Sequence, residues 1–89
     1  MPRLPMICLC LSLSTAPAFA QALCDEMWAE RNAIYFDAGF CFKTARAKAA
    51  FGDSADCRYE TLADVPLTAR NRADIAEIQQ RERRSGCPR

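Results

Sequence analysis

Cysteine is the residue type in this sequence with the most evident chemistry. The 89-residue chain has six cysteines and no histidine. Four of them follow residue 20 at intervals of 17, 16 and 30 residues: Cys24, Cys41, Cys57 and Cys87. These intervals contain no Cys-x-x-Cys pair, which disfavours a zinc site. In an oxidising compartment an even number of cysteines predicts a disulfide framework, here of two bridges.

Other residues that could support catalysis are few. The absence of histidine removes the commonest general base, and no serine or threonine stands in a nucleophile-elbow sequence. Asp53 and Asp56 are candidates for a catalytic carboxylate pair, and Lys48 is a candidate catalytic lysine. We interpret all three as solvated surface residues. Oxidised cysteines provide no thiolate nucleophile. We therefore expect no enzyme activity, no cofactor and no metal.

Residues 1–20 have the pattern of a cleavable signal peptide. Arg3 supplies a positive start, an apolar stretch follows over 6–13, and Ala18-Phe19-Ala20 places small residues at a cleavage site. A membrane anchor is the competing interpretation, but the apolar run is shorter than the ~20 residues that a spanning helix needs. We predict cleavage after Ala20 and a periplasmic or extracellular location, with no transmembrane segment afterwards.

The predicted mature chain, residues 21–89, has 11 basic and 11 acidic residues. Its net charge of zero disfavours a nucleic-acid binder or a cationic membrane-lytic peptide. A chain of this length forms one small domain, and a domain this small needs cross-links to supplement its core.

The first predicted helix covers residues 25–38. Asp25 and Glu26 are assigned to its first turn, where carboxylates favour the positive end of the helix dipole. Gly39 is predicted to stop the helix by adopting a positive φ, with Phe40 folding back on the last turn.

Two further helices are predicted. Thr44 can cap a short alanine-rich helix over 45–51, and Thr68 can cap a third helix over about 69–85. The segment 53–66 has a loop composition and is long for so small a domain, so a cross-link within it is expected. The fold class is therefore all-α, a small three-helix domain stapled by two disulfides.

The disulfide pairing has a preferred solution. If the first and third helices pack antiparallel, Cys24 and Cys87 fall at the same end of the domain, and Cys41 then pairs with Cys57. The rival pairing is Cys24 with Cys41 and Cys57 with Cys87. It requires the chain to run back along the first helix, because a bridge needs Cα atoms within roughly 7 Å. Both pairings remain open from the sequence.

Trp28, Arg31 and Asn32 form the most specific cluster of side chains on the first helix. Arg31 is one turn from Trp28, so its guanidinium could lie over the indole or reach a carbonyl of another segment. The amide of Asn32 could hold loop backbone. We interpret the three as packing and loop-anchoring residues in preference to a ligand site.

The arginines near the end of the chain are the strongest charge feature: Arg81, Arg83, Arg84 and Arg89. They could contact an acidic partner such as lipid head groups or an anionic wall polymer. The favoured interpretation is that they offset the negative end of the third helix and pair with Glu77 and Glu82.

Residues 28–43 resemble the core of the YARHG domain, which reads roughly Leu-Trp-x-x-Arg-Asn-x-Ile-Tyr-Ala-Arg-His-Gly-Tyr-x-Phe. The resemblance extends over about residues 24–82. Six positions match and are structural candidates: Trp28, Arg31, Asn32, Ile34, Gly39 and Phe42. Tyr35 of the name-giving string also matches, but Phe36, Asp37 and Ala38 replace its Ala, Arg and His. Any role of that Arg and His cannot be transferred.

The resemblance implies a small exported bacterial domain without an assigned activity. We therefore expect a non-catalytic structural or interaction module of the bacterial envelope, with an unknown partner that is not a nucleic acid. A binder of an anionic envelope component, or an inhibitor of an envelope enzyme, is the alternative.

Overall fold

The structure is a computed structural model that describes residues 15–53 and 55–88. Three α-helices account for most of this part of the chain: α1 (Thr15–Asp37), α2 (Ala45–Phe51) and α3 (Ala69–Arg84). The predicted all-α class, the three helices and the two disulfides are confirmed. Most of the predicted signal peptide, and Arg89, lie outside the described residues.

The start of α1 differs from the prediction. The helix begins at Thr15 instead of residue 25 and continues through Ala20, the predicted cleavage position. Alternate alanines over 16–22 favour helix, and a proline in a first turn costs no hydrogen bond. Asp25 and Glu26 therefore lie in the interior of α1, so their assignment to its first turn is wrong for this helix.

Gly39 ends α1 as predicted. Its φ is 98°, its N–H donates to the carbonyl of Phe36 at 3.1 Å, and the N–H of Phe40 donates to the carbonyl of Tyr35 at 3.0 Å. This pair of bonds is a Schellman motif. The rings of Phe40 and Tyr35 accompany it with an edge contact, their centroids 6.4 Å apart.

The predicted caps of α2 and α3 are also present. The Thr44 hydroxyl accepts from the N–H of Ala47 at 3.1 Å, and the Thr68 hydroxyl accepts from the N–H of Asn71 at 3.0 Å. At the end of α3, Gly86 has a φ of 72° and takes part in a second Schellman motif. Cys87 follows this turn directly, so the turn positions a disulfide cysteine.

The helices α1 and α3 pack antiparallel. Cys24, in the middle of α1, bridges to Cys87, just beyond the end of α3, with a Cα–Cα distance of 5.5 Å. Buried apolar side chains from the helices and from the connection before α3 form the core: Met27, Ala47, Val65, Ile75 and Ile78. Within the described ranges no helix combines the length and hydropathy needed to cross a bilayer.

The segment between α2 and α3 is ordered by a disulfide, by backbone contacts with the chain after α1, and by a short helix of its own. Cys57 bridges to Cys41 with a Cα–Cα distance of 5.0 Å. The N–H of Cys41 donates to the carbonyl of Tyr59 at 2.8 Å, next to a single parallel bridge between Phe40 and Tyr59. A 3-10 helix then occupies Leu62–Asp64. The expected cross-link is present, and the loop contains a helical turn of its own.

Candidate functional site

Arg31 lies at the interface between α1 and α3. Its Nε donates to Oε1 of Glu82 at 2.9 Å and its Nη2 donates to Oε2 at 3.0 Å. The side chains are 22% and 12% exposed, respectively. Bidentate geometry with this degree of burial fixes the relative position of the two helices. Of the two placements that the sequence left open for Arg31, the one over the Trp28 indole is wrong. The guanidinium does reach another segment, but it binds the Glu82 carboxylate on α3 and not a backbone carbonyl.

The cation over Trp28 belongs to α2. The guanidinium carbon of Arg46 lies 3.9 Å from the centre of the indole, and Nη2 of Arg46 also donates to Oδ1 of Asp25 at 2.9 Å. The Phe51 ring is 6.1 Å from the Trp28 ring, centroid to centroid. Trp28 on α1 therefore packs against two side chains of α2.

The predicted hydrogen bond from the Asn32 amide to loop backbone is replaced by one within α1. Its Nδ2 donates to the carbonyl of Trp28 at 2.9 Å, one turn back in the same helix. Ile34 is half-buried on α1. Both residues therefore contribute to the helix and its packing.

Phe42 belongs to a cluster of three stacked rings that the sequence did not reveal. The centroids of Phe42 and Phe51 are 5.2 Å apart, those of Phe36 and Phe51 are 5.4 Å apart, and those of Phe36 and Phe42 are 6.3 Å apart. Phe36 occupies a position where the resembled motif has alanine. One ring of this half-buried cluster therefore comes from a position at which the chain departs from that motif.

The predicted arginine cluster separates into different environments. Nη2 of Arg81 lies 3.5 Å from Oε1 of Glu30 on α1, and not at its expected partner Glu77. Arg83 and Arg84 are exposed. Neither has an ion-pair partner within the described part of the chain. Arg89 is outside the described residues.

A cavity of about 310 Å³ borders the Arg31 ion pair. It is lined by Arg31, Gln79, Glu82, Arg83, Cys87 and Pro88. The carboxylate of Glu82 already neutralises Arg31, and a disulfide sulfur has no acid–base chemistry. Arg83 is the cation on this rim that lacks an ion-pair partner among the described residues.

The residues nominated for catalysis line two different cavities. Asp53 and Lys48 line a cavity of about 260 Å³ beside the Cys41–Cys57 disulfide, whereas Asp56 lines a separate one of about 370 Å³. Among the described residues no group of three or more metal-ligating side chains is close enough to hold an ion.

Glu60 is the carboxyl whose acidity is altered. The Lys43 ammonium donates a hydrogen bond to it at 2.6 Å. This hydrogen bond and the attraction of the positive charge lower the pKa of Glu60, and they outweigh the opposing effect of desolvation. Both side chains are more than half exposed, so the pair is a surface contact.

The sequence did not identify Arg46 as the cation that packs on Trp28. It also suggested that Glu82 pairs with neighbouring arginines on α3, whereas its partner is Arg31. Arg46 carried no spacing signal, because its distance from Trp28 depends on how α2 folds back onto α1. The pairing of Arg31 with Glu82 likewise depends on the register of α1 against α3.

Comparison with known proteins identifies the family of the chain. The family model for the YARHG domain matches residues 6–83, a range that begins within the predicted signal peptide. No curated protein and no solved structure matches the chain. YARHG domains are small domains of unknown function and are often extracellular. Because the match spans most of its length, the chain belongs to the YARHG domain family.

Proposed function

We propose that the chain is an exported, non-catalytic structural or interaction module of the bacterial envelope. The observation that supports this most is the position of the two disulfides. Cys24–Cys87 joins α1 to the end of α3, and Cys41–Cys57 secures the long connection. Such bridges persist in oxidising compartments. The protein functions in the periplasm or outside the cell after cleavage following Ala20.

The proposed non-catalytic role is supported by the way in which two pairs of charged side chains are used. Arg31 with Glu82, and Arg46 with Asp25, join different helices. Side chains held in such pairs serve the fold, which leaves the exposed surface to bind a partner.

Fractionation of cells that produce the full chain tests the proposal. We expect the protein in the periplasm or the medium, with a mass that places its amino terminus at Gln21 and shows two disulfides. The purified chain, immobilised, should then capture one envelope protein saturably. A cytoplasmic, reduced chain would contradict the proposed compartment, and turnover of an envelope substrate would contradict the non-catalytic role.

A second candidate is a binder of an anionic envelope component, or an inhibitor of an envelope enzyme. It is favoured by the exposure of Arg83 and Arg84, which leaves both guanidinium groups available to anions. Retention on anionic polymer or lipid that falls steeply with salt would support it. Arg83→Gln with Arg84→Gln should then abolish retention, whereas the control Arg70→Gln, which removes a charge near the other end of α3, should not.

A further inference from the structure

Gln21 is the first residue of the proposed mature chain. We propose that, once residues 1–20 are removed, Gln21 cyclises to pyroglutamate and closes the amino terminus of the domain. The inference rests on the proposed cleavage after Ala20. It assigns a covalent modification to a residue whose side chain has no role in the core.

The surroundings of Gln21 allow this reaction. The residue is exposed, and its Nε2 donates to Oδ1 of Asp25 at 3.1 Å. Asp25 is itself about half exposed and also binds Arg46. No buried group has to move when the Gln21 amide turns back towards its own nitrogen. Cys24, three residues later, is fixed to Cys87, so the fold is already secured behind the new terminus.

The chemistry requires no partner or oxidant. The neutral α-amino nitrogen of Gln21 attacks the side-chain Cδ and forms the fifth bond of a lactam ring. The Cδ–Nε2 bond breaks, and a proton from the attacking nitrogen leaves with Nε2 as ammonia. The α-amino group has an ordinary pKa of about 8, so a useful fraction is neutral near pH 7.

The product suits the position in two ways. A free ammonium at Gln21, where α1 would begin once residues 1–20 are removed, would lie at the positive end of the helix dipole, and cyclisation removes that charge. Aminopeptidases require a free α-amino group, so the lactam also blocks trimming from this end. The bridge at Cys24 and the closed terminus together protect the beginning of the domain.

The hydrogen bond to Asp25 should slow the reaction, because it holds the departing nitrogen along the helix. Loss of one exposed hydrogen bond predicts that Asp25→Ala cyclises about twofold to fivefold faster. A slower reaction in this variant would overturn the proposed effect of the contact.

Peptide mapping of the full chain, expressed with its own leader and recovered from the envelope fraction, tests the modification. After reduction of the disulfides, the tryptic peptide 21–31 should be lighter than its unmodified mass by one ammonia, and the cyclised protein should resist aminopeptidase. Gln21→Ala is the control and should keep its full mass and be trimmed. The internal Gln79 and Gln80 should stay unmodified.

Two outcomes would overturn the inference and are distinguishable. A peptide that begins at Gln21 and keeps a free amine after prolonged incubation would refute cyclisation while leaving export and cleavage intact. A peptide that still contains leader residues would refute the cleavage, and with it the modification, because Gln21 would then have no free amine.

Discussion

Arg31 and Glu82 lie 51 residues apart in the sequence and meet in a bidentate ion pair that joins α1 to α3. Both side chains are mostly shielded from water. Removing one partner would leave the other charge without compensation in this interface, whereas replacing both would not.

Glu82→Gln and Arg31→Met should each lower the free energy of unfolding by about 2 kcal/mol, between the exposed and fully buried limits. The double variant Arg31→Met/Glu82→Leu should lose less than the sum of the single changes. Urea denaturation measures all three. Additive losses would show that the pair is not energetically coupled.

Gly39→Ala should destabilise the domain more than Gly86→Ala. Both glycines have positive φ, but a Cβ at Gly39 would lie 3.2 Å from Cδ2 of Tyr59, whereas at Gly86 it would meet nothing within 4 Å. We expect losses of about 2–3 kcal/mol at Gly39 and about 1 kcal/mol at Gly86. Thermal unfolding of the two variants provides the comparison, and equal losses would rule out the Tyr59 contact as the cause.

Removing the bridge that closes the longer loop should cost slightly more stability, because the entropy of loop closure rises with the logarithm of loop length. In the chain-entropy treatment, Cys41→Ser/Cys57→Ser loses about 3 kcal/mol and Cys24→Ser/Cys87→Ser about 4 kcal/mol. Non-reducing digestion between Cys41 and Cys57, followed by mass spectrometry, checks the pairing. A Cys24 peptide linked to Cys41 or Cys57 would disprove it.

Trp28 should contribute far more to stability than the arginine that covers it. Trp28→Ala removes the indole between Arg46 and Phe51 and should cost about 3 kcal/mol, whereas Arg46→Ala removes an exposed cation and should cost about 0.5–1 kcal/mol. Asn32→Ala should cost less than about 1 kcal/mol, because the Trp28 carbonyl already accepts a helix N–H. Denaturant titration ranks the three. Unchanged stability of Trp28→Ala together with lost partner capture would instead assign Trp28 to a binding site.

The contact between Lys43 and Glu60 should make a small part of the stability dependent on pH. Lys43 lowers the pKa of Glu60 in the folded state, so the contribution is present above the carboxyl pKa of the unfolded chain and is lost as pH falls through the lowered value. Lys43→Gln should return the pKa of Glu60 towards its usual range in an NMR titration. An unchanged titration would show that the hydrogen bond is absent in solution.

The ends of the helices were predictable because local chemistry determines them. Thr44 and Thr68 accept hydrogen bonds from N–H groups three residues later, and Gly39 and Gly86 adopt the positive φ that closes a Schellman motif. These interactions involve residues within one or two turns of each other, so the sequence alone specified them. The beginning of α1 was not predictable in this way. The alanines over 16–22 continue the helix towards the amino terminus, and no local signal marks its first residue.

The disulfide pairing could be argued from the sequence because it needed only the antiparallel arrangement of the first and third helices, although Cys24 lies within α1 and not at its start. The partners of individual charged side chains needed more. Arg31 meets Glu82, and Arg46 covers Trp28, because of the register of α1 against α3 and the angle at which α2 returns to α1. Local spacing cannot encode these distances, since a shift by one helical turn would present different side chains to each other. The sequence therefore determined the helices and the cysteine framework. Tertiary packing decided which side chains contact each other between the helices.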